Sequence, residues 1–408
     1  KLNFVPIYWM ASEDHDFEEI SSFRFQDKSI RWPGKAAGAV GEMSLENLQP
    51  TLDVFEKQLG GGANAKRIKD MINQSYRTSN TLSEATFRLV NILFGEYGLI
   101  IIEPQKSELK ALFKPILKEE LSKSSSFNEV AKQIEQLKKG LYSNYTPQVN
   151  PREINLFYLT QNGRHRIEKI ADRFYLNGTE QSFTEVDFMR LVDQEPERFS
   201  PNVILRPVYQ ECILPNLCYI GGGGELAYWF QLNSTFSHFN VLFPILLLRN
   251  SALIYSEKLG KKITKLKLET TDLFLKRDAL IDKKIKQISD IDLDLSPLKD
   301  QLKKQFDSLQ DLVTKTDASF KGTVNAQQAK QFNGIDKLEM RLLKAQKRVL
   351  KDDLERLTFI HEKLFPNDNL QERDLNFTSF YLKLGTELIP NLIKSLDPFN
   401  QDFVLLEY

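Results

Sequence analysis

The sequence has 408 residues, too many for one ordinary hydrophobic core, so two to three domains, or one core with large appendages, are expected. Its 55 basic and 55 acidic residues cancel, which removes the one-signed field that nucleic acid or an anionic membrane would call for. The longest apolar run, residues 241–248, falls far short of the roughly 20 residues of a membrane helix, and the two cysteines, Cys212 and Cys218, suit a reducing cytoplasm.

No secretory leader pattern opens the sequence, and no initiator Met. An apolar stretch over residues 4–10 reads as a buried strand, and a chain that begins on a core strand is expected to lack an earlier piece of its sheet. Glu13, Asp14, Asp16, Glu18 and Glu19 then surround His15 at the strand's carboxyl end, where open α/β sheets bind ligands. The same acids equally suit the first turn of a helix.

Residues 21–45, Lys35 included, read as a hairpin or ordered loop. Helices are predicted over 45–59, 65–76 and 82–96, the first broken by Gly60, Gly61 and Gly62. A buried strand over 98–104 ends on Pro104. This alternation predicts a parallel, doubly wound sheet. From Lys106 to about Leu141 the chain is helical and charged. Small strands over 154–158, 166–170 and 174–176 follow, with turns at Asn162-Gly163 and Asn177-Gly178, and Ser182-Phe183-Thr184-Glu185 suits the start of a helix reaching about Asp193.

An apolar run over 217–220 leads into Gly221, Gly222, Gly223 and Gly224, and a helix opens on Glu225. Glycines between a strand and a helix permit positive φ and close approach to a ligand, and the helix start offers unpaired N–H groups. The last core strand spans 243–250. Beyond it, Leu259, Ile263, Leu266, Leu273 and Leu280 fall on a heptad frame interrupted by Thr270 and Arg277. Leu298, Leu309, Leu312, Leu338, Leu342 and Val349 continue the theme. Breaks at Ser296-Pro297 and Lys321-Gly322 imply an antiparallel return, with helices projecting on the order of 50 Å. A seam this long serves assembly more readily than chemistry.

The domain map is therefore a core over 1–104, a connecting insertion over 105–200 that is helical and then β, a second part of the core over 201–251, a coiled-coil arm over 252–365, and a C-terminal helical segment over 366–408. That segment returns to the core and closes with a short strand near 403–406.

His15 can serve as a general base or metal ligand, with a carboxylate fixing its tautomer. Arg206 can grip a carboxylate or phosphate in two-point fashion, or form a surface salt bridge. Gln210 and Glu211 accompany it, and Tyr228 and Trp229 follow the glycines. No dinucleotide fingerprint or P-loop is present, so a mobile turn is the plain alternative for the glycines. No set of four well-spaced zinc ligands exists, and no metal is expected. His165, His238 and His361 receive no role, and the cysteines read as packing residues.

Taken together these residues carry a resemblance. Pro6-Ile7-Tyr8-Trp9, Glu13 to Phe17, Arg206-Pro207 with Gln210-Glu211, the segment from Gly221 to Trp229, and the coiled coil followed by Leu370-Gln371-Glu372-Arg373 resemble the bacillithiol biosynthesis cysteine-adding enzyme (BshC) family over essentially the whole chain. The resemblance implies a Rossmann-like parallel sheet core, related to class I synthetases and nucleotidylyltransferases, with an α/β insertion and a long antiparallel coiled coil for homodimerisation. It implies a cytoplasmic ligase joining L-cysteine to glucosaminyl-malate through an amide, with ATP or ADP as nucleotide. Asp14, His15 and Asp16 would be catalytic. Glu13, Arg206, Gln210, Glu211, the four glycines, Glu225, Tyr228, Trp229, Arg249 and Asn250 would bind substrate or nucleotide. The family's N-terminal Thr-Gly-Gln-Gln and Gly-Pro-Leu-Tyr segments are missing, so the glycines are expected to form a second wall opposite Glu13 to Asp16. The alternatives are a nucleotide-binding assembly or sensor protein and a metal-dependent hydrolase built on Asp14-His15-Asp16.

Overall fold

The computed structural model describes residues 3–34, 38–140, 144–161, 163–313, 315 and 318–408. Lys35, Leu141 and Asn162, placed above in a loop, at a helix end and in a turn, lie outside them. The chain forms two compact units, one of Lys1–Ala252 with Leu375–Val404, the other of Leu253–Asp374 with Leu405–Tyr408.

The first unit opens with β1 (Ile7–Trp9), a single helical turn α1 (Phe17–Ile20) and the hairpin β2 (Ser22–Phe25) and β3 (Lys28–Arg31). Three helices follow, α2 (Gln49–Leu59), α3 (Ala63–Ser75) and α4 (Leu82–Phe94). Pro50 sits in the first turn of α2, where a missing N–H costs nothing, and Gly60 ends it with φ +72°. Thr81 caps α4 by accepting the Glu84 N–H at 3.3 Å. β4 (Ile100–Ile102) runs parallel to β1, with Tyr8 beside Ile101. Two helices come next, α5 (Ser107–Lys123) and α6 (Ser125–Lys139), divided where Ser124 turns left-handed at φ +52°.

β5 (Leu156–Thr160), β6 (Gly163–Ile170), β7 (Arg173–Leu176) and β8 (Ser182–Thr184) lead to α7 (Glu185–Gln194) and β9 (Phe199–Pro201). These strands make one antiparallel sheet in the order β8-β7-β6-β5-β9. α8 (Leu205–Ile213), β10 (Cys218–Gly221), α9 (Gly223–Trp229), α10 (Asn233–His238) and β11 (Ile245–Leu248) follow, with β10 parallel to β11. Phe113, Leu117, Phe174, Phe188, Phe199, Val208 and Trp229 belong to one buried cluster. Residues 105–200 and 201–251 therefore share a core.

The parallel pairing expected of a doubly wound sheet is present, but not as one continuous sheet. Among the described residues, the parallel strands form two separate two-stranded ladders, β1 with β4 and β10 with β11. Phe4 and Val5, read as buried, are exposed ahead of a strand of only three residues, and Ile100, Ile220 and Ile245 are exposed as well. An unbroken apolar run looks the same whether one face or both faces are covered, and here each ladder has an open face.

The second unit begins at β12 (Ala252–Tyr255) and continues through α11 (Glu257–Lys265), α12 (Arg277–Ile288), α13 (Ser296–Val313), α14 (Ala318–Val349), α15 (Lys351–Leu364) and α16 (Gln371–Asp374). Lys299 pairs with Asp336 and Glu339 while Gln310 bonds Asn325, so partners on α14 descend as those on α13 ascend and the two helices run antiparallel. The expected break at Lys321-Gly322 is absent, since both residues lie inside α14. Each of the two glycines in this 32-residue helix, Gly322 and Gly334, costs about 1 kcal/mol, too little to end it. The heptad frame over 259–280 is likewise not one helix: a turn at Thr270–Phe274 separates α11 from α12. Leu259, Ile263, Leu273 and Leu280 are nevertheless buried, whereas Leu298, Leu309, Leu312, Leu338 and Val349 stand exposed.

The chain then re-enters the first unit as α17 (Thr378–Leu384) and α18 (Leu388–Ser395), and β13 (Val404–Glu407) pairs with β12. Among the described residues, no helix is long and apolar enough to cross a membrane.

Candidate functional site

The carboxyl end of β1 turns over a cavity of about 290 Å³ in the first unit. Glu13, Asp14, Arg164, Asn202, Arg206 and Tyr209 stand in its wall, supplied by the β1 loop, β6, the turn after β9, and α8.

Glu13 is the acid most firmly held. Its carboxylate pairs with Lys110 at 2.5 Å and accepts the Ser200 hydroxyl at 2.6 Å. Lys110 is wholly buried, donates to the Phe199 carbonyl at 2.9 Å and stands 4.7 Å from the centre of the Tyr209 ring. Burial pushes the Lys110 ammonium below the ordinary lysine range, and Glu13 opposes that shift. Tyr209 anchors the opposite side by donating to the Pro104 carbonyl at 2.6 Å, and burial, with Glu13 second, drives its phenol up.

Arg164 reaches in from β6. Its guanidinium donates to Ser200 Oγ at 3.2 Å and to the Pro201 carbonyl at 3.0 Å, while its buried Nε has no hydrogen-bond partner. Burial lowers its pKa, with Glu13 and Asp14 pulling the other way. Arg206, on α8, touches the Tyr228 hydroxyl at 3.4 Å. The cavity thus gathers two guanidiniums and two carboxylates on one wall, a pattern that can hold an acid and an amine at once.

The remaining predicted residues divide. His15 lies beside the wall, half exposed, with Nδ1 3.4 Å from Arg164 Nη1 and 3.5 Å from Asp14 Oδ1. Asp16 caps α1 by accepting the Glu19 N–H at 3.4 Å, which is the plain helix-start reading of that acid. Glu211 is buried and takes both the backbone N–H and the side-chain amide of Asn216 at 2.8 Å, while Gln210 donates to it at 3.0 Å. Burial raises the Glu211 pKa. These two brace the turn between α8 and β10 and do not line the cavity.

Gly221, Gly222, Gly223 and Gly224 are not among the residues with positive φ, so the loop does not use that freedom. Glu225 Oε2 accepts the Gly222 N–H at 2.7 Å, and Tyr219 donates to Oε1 at 3.2 Å. A carboxylate therefore already occupies the start of α9, where an anion was expected. A side chain at Gly223 or Gly224 would meet open space. Trp229, predicted as a pocket wall, is buried, stacked on Tyr219 with ring centres 4.1 Å apart and packed against Phe236 and Phe243. The N–H of Arg249 extends the β10 ladder to the Gly221 carbonyl at 2.9 Å. Asn250 donates to the carbonyls of Asp397 and Asn400 at 2.8 and 3.0 Å, a structural tie to the C-terminal segment. Among the described residues, no cluster of three or more His, Cys, Asp or Glu side chains is placed to hold a metal ion.

Sequence reasoning missed Lys110, Arg164, Ser200 and Tyr209. Lys110 alone carried a signal, because it shares the helical stripe of Phe113, Leu117 and Leu121.

Residues 1–250 match the family described as bacillithiol biosynthesis BshC, N-terminal Rossmann-like domain, and residues 252–408 match its C-terminal coiled-coil domain. The chain is 48% identical over 404 residues to a protein of Flavobacterium johnsoniae, covering 99% of this chain and 75% of that one. It is 47% identical to proteins of Christiangramia forsetii and Flavobacterium psychrophilum, over 412 and 408 residues, in each case covering 100% of this chain and 76% of the relative. All three bear the name "Putative cysteine ligase BshC".

Proposed function

The chain belongs to the bacillithiol biosynthesis BshC family, and from that premise we propose that it is a cysteine ligase whose first-unit cavity joins the carboxyl of L-cysteine to the amine of glucosaminyl-malate. The observation that carries this reading is the pairing of Arg164 and Arg206 with Glu13 and Asp14 around one cavity. Guanidiniums suit the malate carboxylates, and the acids suit an ammonium.

An amine attacks only as the neutral base, so a proton must leave it. His15 is the group for that task. Its Nδ1 lone pair faces Arg164, and a substrate carboxylate that draws Arg164 toward itself frees that nitrogen. The cysteine carboxyl needs activation before attack, and fold analogy with synthetases offers ATP: the carboxylate oxygen bonds the α-phosphorus as the α–β phosphoanhydride breaks and pyrophosphate leaves, giving an adenylate. The acyl–oxygen bond of that adenylate breaks as the amide C–N bond forms, with AMP leaving.

Mass spectrometry of product formed from cysteine and glucosaminyl-malate, with and without ATP, tests this reading. His15→Ala is expected to lower the rate about 100-fold or more, and Arg206→Gln to raise the concentration of glucosaminyl-malate needed. Full product formation by His15→Ala would remove that residue from the reaction. No glucosaminyl-malate binding, with ATP still bound, would favour a nucleotide sensor instead.

The exposed Leu298, Leu309, Leu312 and Leu338 on α13 and α14 support a homodimer through this helical pair. Light scattering should give twice the 47.3 kDa chain mass, and a monomer at micromolar concentration would count against it.

A further inference from the structure

A second cavity, of about 330 Å³, lies wholly within the second unit, between the start of α12 and the end of α15. His361 in its wall is only 5% exposed. Its Nε2 stands 3.3 Å from the Leu275 carbonyl, and since a carbonyl can only accept, that nitrogen carries the proton. The other nitrogen, Nδ1, is buried without a hydrogen-bond partner, its neighbour Asp368 Oδ1 lying 3.7 Å away, beyond bonding distance. A buried lone pair of this kind calls for a donor from outside the protein.

The same cavity opens on the first turn of α12, a 12-residue helix whose N-cap residue, Lys276, makes no side-chain cap bond. The backbone N–H groups there remain free for an acceptor. Lys276 and Arg277 balance Asp278 and Asp368 in formal charge, so the positive helix end tips the site toward an anion. Arg277 stands 3.7 Å from Asp368, a loose pair that leaves donors to spare. Phe274 and Phe365, edge to face at 5.8 Å, add an apolar wall.

We propose that this cavity binds a sugar phosphate. The phosphate sits at the α12 N-terminus with Arg277, hydroxyls donate to His361 Nδ1 and to Asp368, and the carbon face of the sugar lies against Phe274.

Calorimetry on the 408-residue chain with ribose 5-phosphate, ribose and inorganic phosphate tests the assignment. Ribose 5-phosphate should bind once per chain, at least about tenfold more tightly than either part alone. His361→Phe and Arg277→Gln should each weaken it about tenfold, while Arg206→Gln, in the other unit's cavity, leaves it unchanged. Should His361→Phe fail to fold, Arg277→Gln decides. The proposal falls if ribose 5-phosphate gives no binding heat, if inorganic phosphate alone binds as well, or if only Arg206→Gln weakens the complex.

Discussion

Two lysines, one from each unit, show two different uses of charge. Lys110, in the first, is completely enclosed and meets Glu13, the Phe199 carbonyl and the face of Tyr209. Lys299, in the second, has a side chain 30% exposed and meets Asp336 and Glu339 across two paired helices. Taking two ions out of water costs several kcal/mol each, and only close geometry with extra hydrogen bonds offsets it. An exposed pair carries no such cost and returns little. The difference teaches that Lys110 and Glu13 are held for position, because apolar residues of similar size would stabilise the fold as well. What the pair secures is a carboxylate fixed at the edge of the cavity.

The strongest way to break this comparison is Lys110→Met. Glu13 would lose the cation it pairs with directly, keeping only Arg164 nearby, and the loss should be about 3 kcal/mol by urea unfolding. Adding Glu13→Gln should restore most of it, since both charges then go together. A single substitution as harmless as Lys299→Ala would show that the burial argument is wrong.

A milder test uses a pair between the two extremes. Asp272 has a side chain 2% exposed, while its partner Lys283 is 47% exposed. The hydrogen bond from Lys283 holds the Asp272 carboxyl below its ordinary range, against the effect of burial. The folded pKa is depressed, so the stabilisation is complete above the unfolded value near 4 and disappears as pH falls through the folded one. Asp272→Asn should cost roughly 0.5–1 kcal/mol at pH 7, and the gap between variant and parent melts should narrow only as the pH falls below about 4. The smallest effect is expected for Lys299→Ala, whose melting midpoint should match the parent's in 0.5 M salt.

The sequence announced local features best. Gly60 ends α2, α7 starts inside the expected segment 182–185 although Ser182–Thr184 first forms β8, and Asn177-Gly178 makes its turn with Gly178 at φ +79°, because each depends on residues within one turn of chain. The site was legible in part. Glu13, Asp14 and Arg206 were picked by chemistry and do line the cavity. Arg164 was invisible, since its place depends on β9 lying beside β5 and on Ser200 and Pro201 at that edge. Lys110 was hidden among the charges of residues 106–141, where a solvated face is the ordinary reading. Glu211 and Trp229 misled in the opposite direction. Glu211, for its place beside Arg206, and Trp229, for following the glycine loop, suggested a ligand, whereas Asn216 and Tyr219 claim them.

The pairing of β12 with β13 has a consequence for synthesis. Tyr408 donates its N–H to Tyr255 and accepts one from Glu257, contacts separated by some 150 residues. Closing so long a loop is entropically costly, and contacts of such separation form late. As the polypeptide emerges from the ribosome, β12 must wait with its edge unpaired until residue 407 is free. Slow translation of residues 256–403 would lengthen the interval in which that edge is open to the wrong strand.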